Sequence, residues 1–95
     1  MSQVRKRLRA VAHGRVQGVM FRDFVYRHAR SLGVSGFVRN LPGGQSIELC
    51  AEGPFDKLQE LFERFAIGPP RARVDRTEET WSDPMGEFAS FEVRN

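Results

Sequence analysis

Residues 7–33 read RLRAVAHGRVQGVMFRDFVYRHARSLG, and the hydrophobic period changes once along this stretch. Up to His13, Leu8, Ala10 and Ala12 share one parity, and all other positions except Val11 are basic or histidine, which predicts a half-buried strand over Arg7–His13. From Phe21 the apolar residues recur at helical spacing, and they are Phe21, Phe24, Val25, Ala29 and Leu32. Gly33 stands where a helix commonly ends in a left-handed residue. The stretch therefore predicts a strand, a loop with two glycines and an amphipathic helix.

The next segment predicts a β-hairpin. Residues 34–40 form a strand pattern, and Leu41-Pro42-Gly43-Gly44 is typical of a turn. In the following strand, one parity is apolar and the other predicts a solvent-exposed face with Glu48, Cys50 and Glu52. Two strands with a short connection are typical of a hairpin.

The last part of the chain predicts one more helix and two strands. Gly53-Pro54 is expected to open the helix with proline in its first turn, and Gly68-Pro69-Pro70 to end it. Its buried stripe is expected to be Phe55, Leu58, Leu61, Phe62 and Phe65. Residues 73–81 and 88–93 favour strands, with a turn at 83–86 between them.

The resulting order is β-α-β-β-α-β with an extra C-terminal strand. It predicts an α+β protein with a ferredoxin-like split β-α-β sandwich, in which two helices cover one face of an antiparallel sheet. At 95 residues, the whole chain (1–95) is predicted to be a single domain.

The composition excludes several classes of protein. Cys50 is the only cysteine, so no internal disulfide can form, and His13 and His28 do not have a metal-ligand spacing. No apolar run approaches the ~20 residues that span a bilayer, and no apolar stretch of a signal peptide follows the basic N-terminus. These observations predict a monomer in the cytoplasm.

Charge is distributed unevenly along the chain. Residues 1–40 contain nine Lys and Arg against one acid, whereas residues 41–95 contain six against eleven. A basic surface for an anionic partner is one interpretation. A solvated basic strand end, with Arg5, Lys6, Arg7 and Arg9, is the other.

The loop between the first strand and the first helix predicts an anion site. Glycines allow the backbone to turn its N–H groups inward, and the helix N-terminus adds the positive end of its dipole. Arg22 lies in the first helical turn, where a cation is disfavoured unless an anion compensates for it. Its planar guanidinium can bind two phosphate oxygens at once.

The residues from Gly14 to Arg22, GRVQGVMFR, resemble the acylphosphatase signature G-x-V-Q-G-V-x-F-R. The resemblance continues through Leu32-Gly33, Gly36, Val38, Asn40-Leu41-Pro42, Glu48 and Gly53 to Phe91-Glu92-Val93. It implies a small-molecule acyl phosphate as substrate, hydrolysed without metal or other cofactor and without a covalent phosphoenzyme, with inorganic phosphate as product and competing ligand.

The resemblance also implies residue roles. Arg22 and the loop amides would bind the phosphoryl group, and Asn40 would orient the attacking water. The phosphate-binding segment would comprise Gly14, Arg15, Val16, Gln17, Gly18, Val19 and Met20. The usual pattern after the second strand is N-x-x-D-G-x-V-E, but here Gly43 replaces the Asp and one residue is inserted before Ile47. We therefore expect a longer turn or a bulge at the hairpin tip.

Two other functions remain compatible with the chain order. A nucleic-acid-binding module would use the same fold and the basic first segment, but residues 46–50 lack the aromatic side chains that stack bases. A phosphate-binding or regulatory domain that has lost the reaction would keep the loop. Such domains also occur inside larger proteins, and the short chain favours a free enzyme instead.

Overall fold

Five strands and two helices alternate along residues 4–95, the part of the chain that this computed structural model describes. Residues 1–3 of the predicted domain lie outside it. The elements are β1 (Arg5–Arg15), α1 (Phe21–Leu32), β2 (Ser35–Asn40), β3 (Ser46–Pro54), α2 (Phe55–Ile67), β4 (Arg73–Ser82) and β5 (Phe91–Arg94). This order confirms the predicted α+β ferredoxin-like fold.

The strands form one sheet in the order β4-β1-β3-β2-β5. The three pairs among β4, β1, β3 and β2 are antiparallel as predicted, but β5 pairs with β2 in parallel, so the sheet is mixed. The parallel pair arises because β4 and β5 lie at opposite edges. Residues 83–90 reverse the chain as they cross the sheet, and β5 therefore runs in the direction of β2.

Both helices pack on the same face of the sheet, and the core lies between the two layers. Phe21 of α1 meets Phe65 of α2 edge to face, with ring centroids 5.7 Å apart. The strands contribute the fully buried side chains Leu8, Ile47, Leu49 and Val38. Neither helix is long and apolar enough to cross a membrane.

Several predicted boundaries shift for local reasons. β1 extends beyond both predicted ends because β3 and β4 pair with it along its whole length. Val34 lies outside β2, since its amide donates to the Ala29 carbonyl oxygen (3.2 Å) and closes the end of α1. Pro54 is the N-cap of α2 rather than part of its first turn, and Phe55 is exposed instead of buried.

The hairpin tip contains the longer turn that the insertion predicts. Asn40 pairs with Ile47, and the Leu41 amide donates to the Ser46 carbonyl oxygen at 3.0 Å. β2 and β3 pair without a register shift, whereas β1 and β4 have one at His13/Gly14. The inserted residue is thus accommodated in the turn, and Asn40 keeps its place at the strand end.

The prediction of a solvent-exposed face on β3 is wrong, because Glu48, Cys50 and Glu52 are all buried. Glu48 lies between Arg9 and Arg39, whose Nε atoms each donate to it at 2.6 Å. Arg7 donates to Glu52 at 2.7 Å and contacts Glu87 at 2.5 Å. The arginines of β1 and β2 therefore cover and neutralise the carboxylates of β3.

The crossing segment supplies the rest of this cover. Residues 83–86 form no turn, contrary to prediction, because the amides of Met85 and Gly86 donate to Glu52 at 2.8 and 2.9 Å. The ring of Phe88 packs against Phe37 with centroids 5.9 Å apart, so Phe88 covers the outer face and the last strand begins only at Phe91.

Glu52 is the carboxylate that holds the crossing segment to the sheet. Burial alone would raise its pKa, but the Met85 and Gly86 amides and the Arg7 guanidinium outweigh burial and lower the pKa. A lowered pKa in the folded protein means that ionised Glu52 stabilises the fold above the pKa it has when unfolded. This contribution is lost as the pH falls through the lowered pKa.

We expect Glu52→Gln to lower the melting temperature at pH 7, since Gln keeps the shape but not the charge that the two amides and Arg7 bind. Losing about 1 kcal/mol or more lowers Tm by roughly 4–8 °C or more in a domain of this size. Thermal unfolding followed by circular dichroism measures the change. The difference in Tm from wild type should begin to narrow as the pH falls below the pKa of an unfolded Glu, about 4.3, and should close as the pH falls through the lowered pKa of folded Glu52.

The matched control is Glu63→Gln on the exposed surface of α2, which should melt like the wild type. An equal Tm for Glu52→Gln and wild type at pH 7 would contradict this account of the crossing segment.

Candidate functional site

The loop that joins β1 to α1 comprises residues 16–20. Gly14 and Arg15 were predicted as part of this loop, but they are the last residues of β1. The amide of Gly14 donates to the Gln45 carbonyl oxygen at 2.9 Å, so this amide is already used by the hairpin. The part of the predicted phosphate-binding segment that forms a loop therefore begins at Val16 rather than at Gly14.

Gly14 is required for packing between strands. A Cβ atom at this position would lie 2.2 Å from the carbonyl oxygen of Arg73, and φ is +136°. The glycine thus admits the close approach of β4 at the register shift after His13.

The loop backbone turns sharply before the helix. Gly18 (φ 74°) and Met20 (φ 64°) are both left-handed, and Met20 is the N-cap of α1. Among residues 4–95, no hydrogen bond found in turns, loops or caps is donated by the amides of residues 16–23. Alternating left-handed residues at a helix N-terminus with unpaired amides form a concavity suited to an anion.

Gln17 fixes the loop to the hairpin. Its Nε2 atom donates to the carbonyl oxygens of Leu41 (2.8 Å) and Ser46 (2.9 Å). Leu41 directly follows Asn40, and Ser46 begins β3 on the other side of the hairpin turn. A single side chain therefore sets the position of the loop relative to the strand that carries Asn40.

Arg22 extends from the first turn of α1 towards the end of β5. Its Nη1 atom donates to the Arg94 carbonyl oxygen at 2.9 Å and to the Asn95 Oδ1 atom at 3.1 Å. Both acceptors are neutral, so they orient the guanidinium without cancelling its charge. The compensating anion expected for a cation at a helix N-terminus is not supplied by these contacts.

Asn40 ends β2 on the helix side of the sheet. Its Oδ1 atom is buried and accepts no hydrogen bond from residues 4–95. A buried oxygen without a donor is unfavourable unless a ligand or water supplies one. Asn40 thus presents an open acceptor.

One pocket of about 380 Å³ brings Arg22 and Asn40 together. Val16, Gly18 and Met20 of the predicted segment also line it. Gln17 and Val19 do not: Gln17 binds the hairpin, and Val19 packs against the core. Arg15 lines a separate depression with Arg71 and Arg73.

Three further residues line the pocket that were not predicted as site residues, Phe21, Asp23 and Val93, although Phe21 and Val93 lie in stretches that carry the family resemblance. Asp23 brings a negative charge into an otherwise positive site, but Arg27 pairs with it at 3.1 Å. Val93 reaches the pocket from β5, and no local pattern could have found it because the strand pairs with a segment more than fifty residues away.

The remaining reactive side chains do not line this pocket. His13 lies between Ser46 (2.7 Å) and Glu78 (2.6 Å), and burial with the nearby charge of Arg64 lowers the pKa of His28. Burial raises the pKa of the Cys50 thiol, which disfavours a reactive thiolate. Among residues 4–95, no group of His, Cys, Asp and Glu side chains is arranged to hold a metal ion.

Comparisons with known proteins agree with this geometry. The acylphosphatase family model matches residues 8–93. An acylphosphatase of Salinibacter ruber is 49% identical over 89 residues, covering 94% of this chain and 93% of the relative. One from Caldivirga maquilingensis is 46% identical over 88 residues, 93% of each chain.

The structural similarity is equally extensive. The crystal structure of the acylphosphatase from Bacillus subtilis matches with a TM-score of 0.89 at 33% identity, over 95% of this chain and 99% of that one. With the family model covering nearly the whole chain, the protein with this loop, arginine and asparagine belongs to the acylphosphatase family.

Proposed function

We propose that this protein hydrolyses the carboxyl–phosphate anhydride of acyl phosphates to a carboxylate and inorganic phosphate. The observation that carries the proposal is that Arg22 and the open acceptor of Asn40 share one pocket. The loop beside them has amides that donate no backbone hydrogen bond. A binding site for a dianion and a binding site for water thus lie side by side.

The loop amides of residues 16–20 and the Arg22 guanidinium hold the phosphoryl oxygens. Fixed N–H groups and a fixed positive charge stabilise the charge that develops on these oxygens in the transition state. Arg22 keeps Nε and Nη2 for the ligand, because both of its observed hydrogen bonds use Nη1. The backbone of Gly14, whose amide binds Gln45, makes no direct contact with the phosphoryl group.

Asn40 positions the attacking water by accepting a hydrogen bond through Oδ1. The water oxygen attacks phosphorus, and the bond from phosphorus to the acyl oxygen breaks. The carboxylate leaves with the electron pair of that bond, and both hydrogens of the water remain on the phosphate, which is released as H₂PO₄⁻. A carboxylate is a good leaving group, so the reaction needs no strong general acid. A neutral amide also avoids the repulsion that a carboxylate base would exert on the dianion.

The charge distribution supports a small-molecule substrate over a nucleic acid. Arg7, Arg9 and Arg39 would form a basic sheet face, but Glu48 and Glu52 bind all three. These three arginines of the basic first segment are thereby paired with acidic residues of β3 across the sheet. We further propose that the protein acts as a monomer, since residues of one chain line its pocket. We place it in the cytoplasm, because its lone cysteine fits a reducing compartment.

The purified protein should hydrolyse acetyl phosphate in the presence of a chelator, because Arg22 and the loop amides provide the required positive charge. Release of inorganic phosphate measures the rate. The wild type should also melt at a higher temperature when inorganic phosphate is added, since the product binds the folded state. Phosphate binding without turnover would instead identify an anion-binding domain that lacks the reaction.

Arg22→Gln should reduce kcat/KM by about 10²–10³-fold, since it removes the charged contact to the phosphoryl group. Inhibition by inorganic phosphate should weaken as well, because substrate and product share this contact. Steady-state kinetics measure both. Arg30→Gln, an exposed arginine on the same helix, is the matched control and should retain wild-type rates. Equal rates for both variants would exclude the role given to Arg22.

Asn40→Ala should lower kcat by about 10²-fold while inhibition by inorganic phosphate changes little, because water rather than phosphate loses its partner. Circular dichroism should show an intact fold, since the replaced Oδ1 atom has no hydrogen-bond partner among residues 4–95. If phosphate inhibition weakens as much as kcat falls, Asn40 acts in binding and its assigned role is wrong.

A further inference from the structure

Two exposed apolar side chains line the pocket that holds Arg22 and Asn40. Met20 is 70% exposed and Val93 is 44% exposed. The other large apolar side chains that are exposed among residues 4–95 lie outside this pocket, and they are Val4, Phe55, Ile67 and Met85. Apolar surface is thus present beside the positive charge of the phosphate-binding loop.

Met20 has a left-handed backbone conformation that is unusual for methionine. Met20 is the one non-glycine residue with positive φ among residues 4–95. Glycine or asparagine adopts this left-handed conformation with less strain than methionine. Packing within the protein does not explain a large apolar side chain here, since most of it is exposed. A ligand in the pocket that contacts the side chain does explain it.

Val93 reaches the same pocket from a different element. It pairs with Val38 in the parallel β2–β5 pair, and it shares its parity with the buried Phe91. The carbonyl oxygen of the next residue, Arg94, accepts the hydrogen bond from Arg22. β5 therefore brings an apolar side chain next to the guanidinium that we assign to the phosphoryl group.

We propose that Met20 and Val93 contact the acyl group, and that the enzyme prefers acyl phosphates whose acyl group is apolar, such as aryl or branched aliphatic ones. This inference rests on the proposed function, because it assigns the apolar side of the pocket to the carboxylate half of the same substrate. An apolar acyl group removes both side chains from water, which a small acyl group does to a lesser extent.

The test compares the hydrolysis of benzoyl phosphate and acetyl phosphate by the wild type and by two variants. Each variant replaces an apolar side chain of the pocket with a polar one that suits the same backbone conformation. Met20→Asn keeps a residue that tolerates the left-handed conformation, and Val93→Thr keeps the β-branched shape. Each variant should lower the benzoyl-to-acetyl ratio of kcat/KM by roughly tenfold, mainly through KM for benzoyl phosphate. The ratio removes the difference in intrinsic reactivity between the two anhydrides.

Ile67→Thr at the exposed end of α2 is the matched control and should leave the ratio unchanged. If both pocket variants leave the ratio at the wild-type value, or lower kcat/KM equally for both substrates, Met20 and Val93 do not select the acyl group. In that case hydrolysis itself, and with it the proposed function, still stands. If the wild type hydrolyses neither substrate, the proposed function fails and this inference fails with it.

Discussion

The carboxylate of Glu52 holds the segment that completes both the sheet and the pocket. β4 and β5 lie at opposite edges of the sheet, so residues 83–90 must cross it. Glu52 fixes this crossing through the amides of Met85 and Gly86, and Arg7 joins the same carboxylate. Because β5 follows directly, the crossing determines where Val93 and the Arg94 carbonyl oxygen meet the helix that carries Arg22. An ion pair on the outer face thus supports a site on the helix side.

Basic and acidic residues lie in different halves of the sequence, but the fold pairs them across neighbouring strands. The basic first half supplies arginines to β1 and β2, and the acidic second half supplies Glu48 and Glu52 to β3 between them. Arg7 and Arg39 lie directly opposite Glu52 and Glu48, and Arg9 reaches Glu48 diagonally, so these ion pairs stabilise the register of the strands. At the helix N-terminus beside the loop, the guanidinium of Arg22 has only neutral partners, so its charge is available to a ligand.

The sequence predicted the elements whose signals are local. Helical spacing from Phe21 to Leu32, the hairpin and the loop with Arg22 required only neighbouring residues. Burial of Glu52 could not be predicted in this way, because its cover comes from a segment more than thirty residues later. The parallel pairing of β5 and the position of Val93 in the pocket could not be predicted either, because both depend on pairing with a strand more than fifty residues earlier. Asn40 was assigned through the family motif, and its open acceptor became apparent only in three dimensions.

The pocket has a side proposed for the phosphoryl group and a side proposed for the acyl group, and they differ in whether backbone or side chains contact the ligand. In the proposed phosphoryl half, backbone amides are the main hydrogen-bond donors, so its function depends on the conformation of the loop. Gly18 permits the left-handed turn, the Gln17 side chain holds the loop to the hairpin, and Arg22 adds the positive charge. The acyl half that we propose is formed by side chains, since Met20 and Val93 line the pocket. Substitutions there change the apolar surface and leave the amides in place. Substrate preference can therefore change within this fold while the chemistry at phosphorus is preserved.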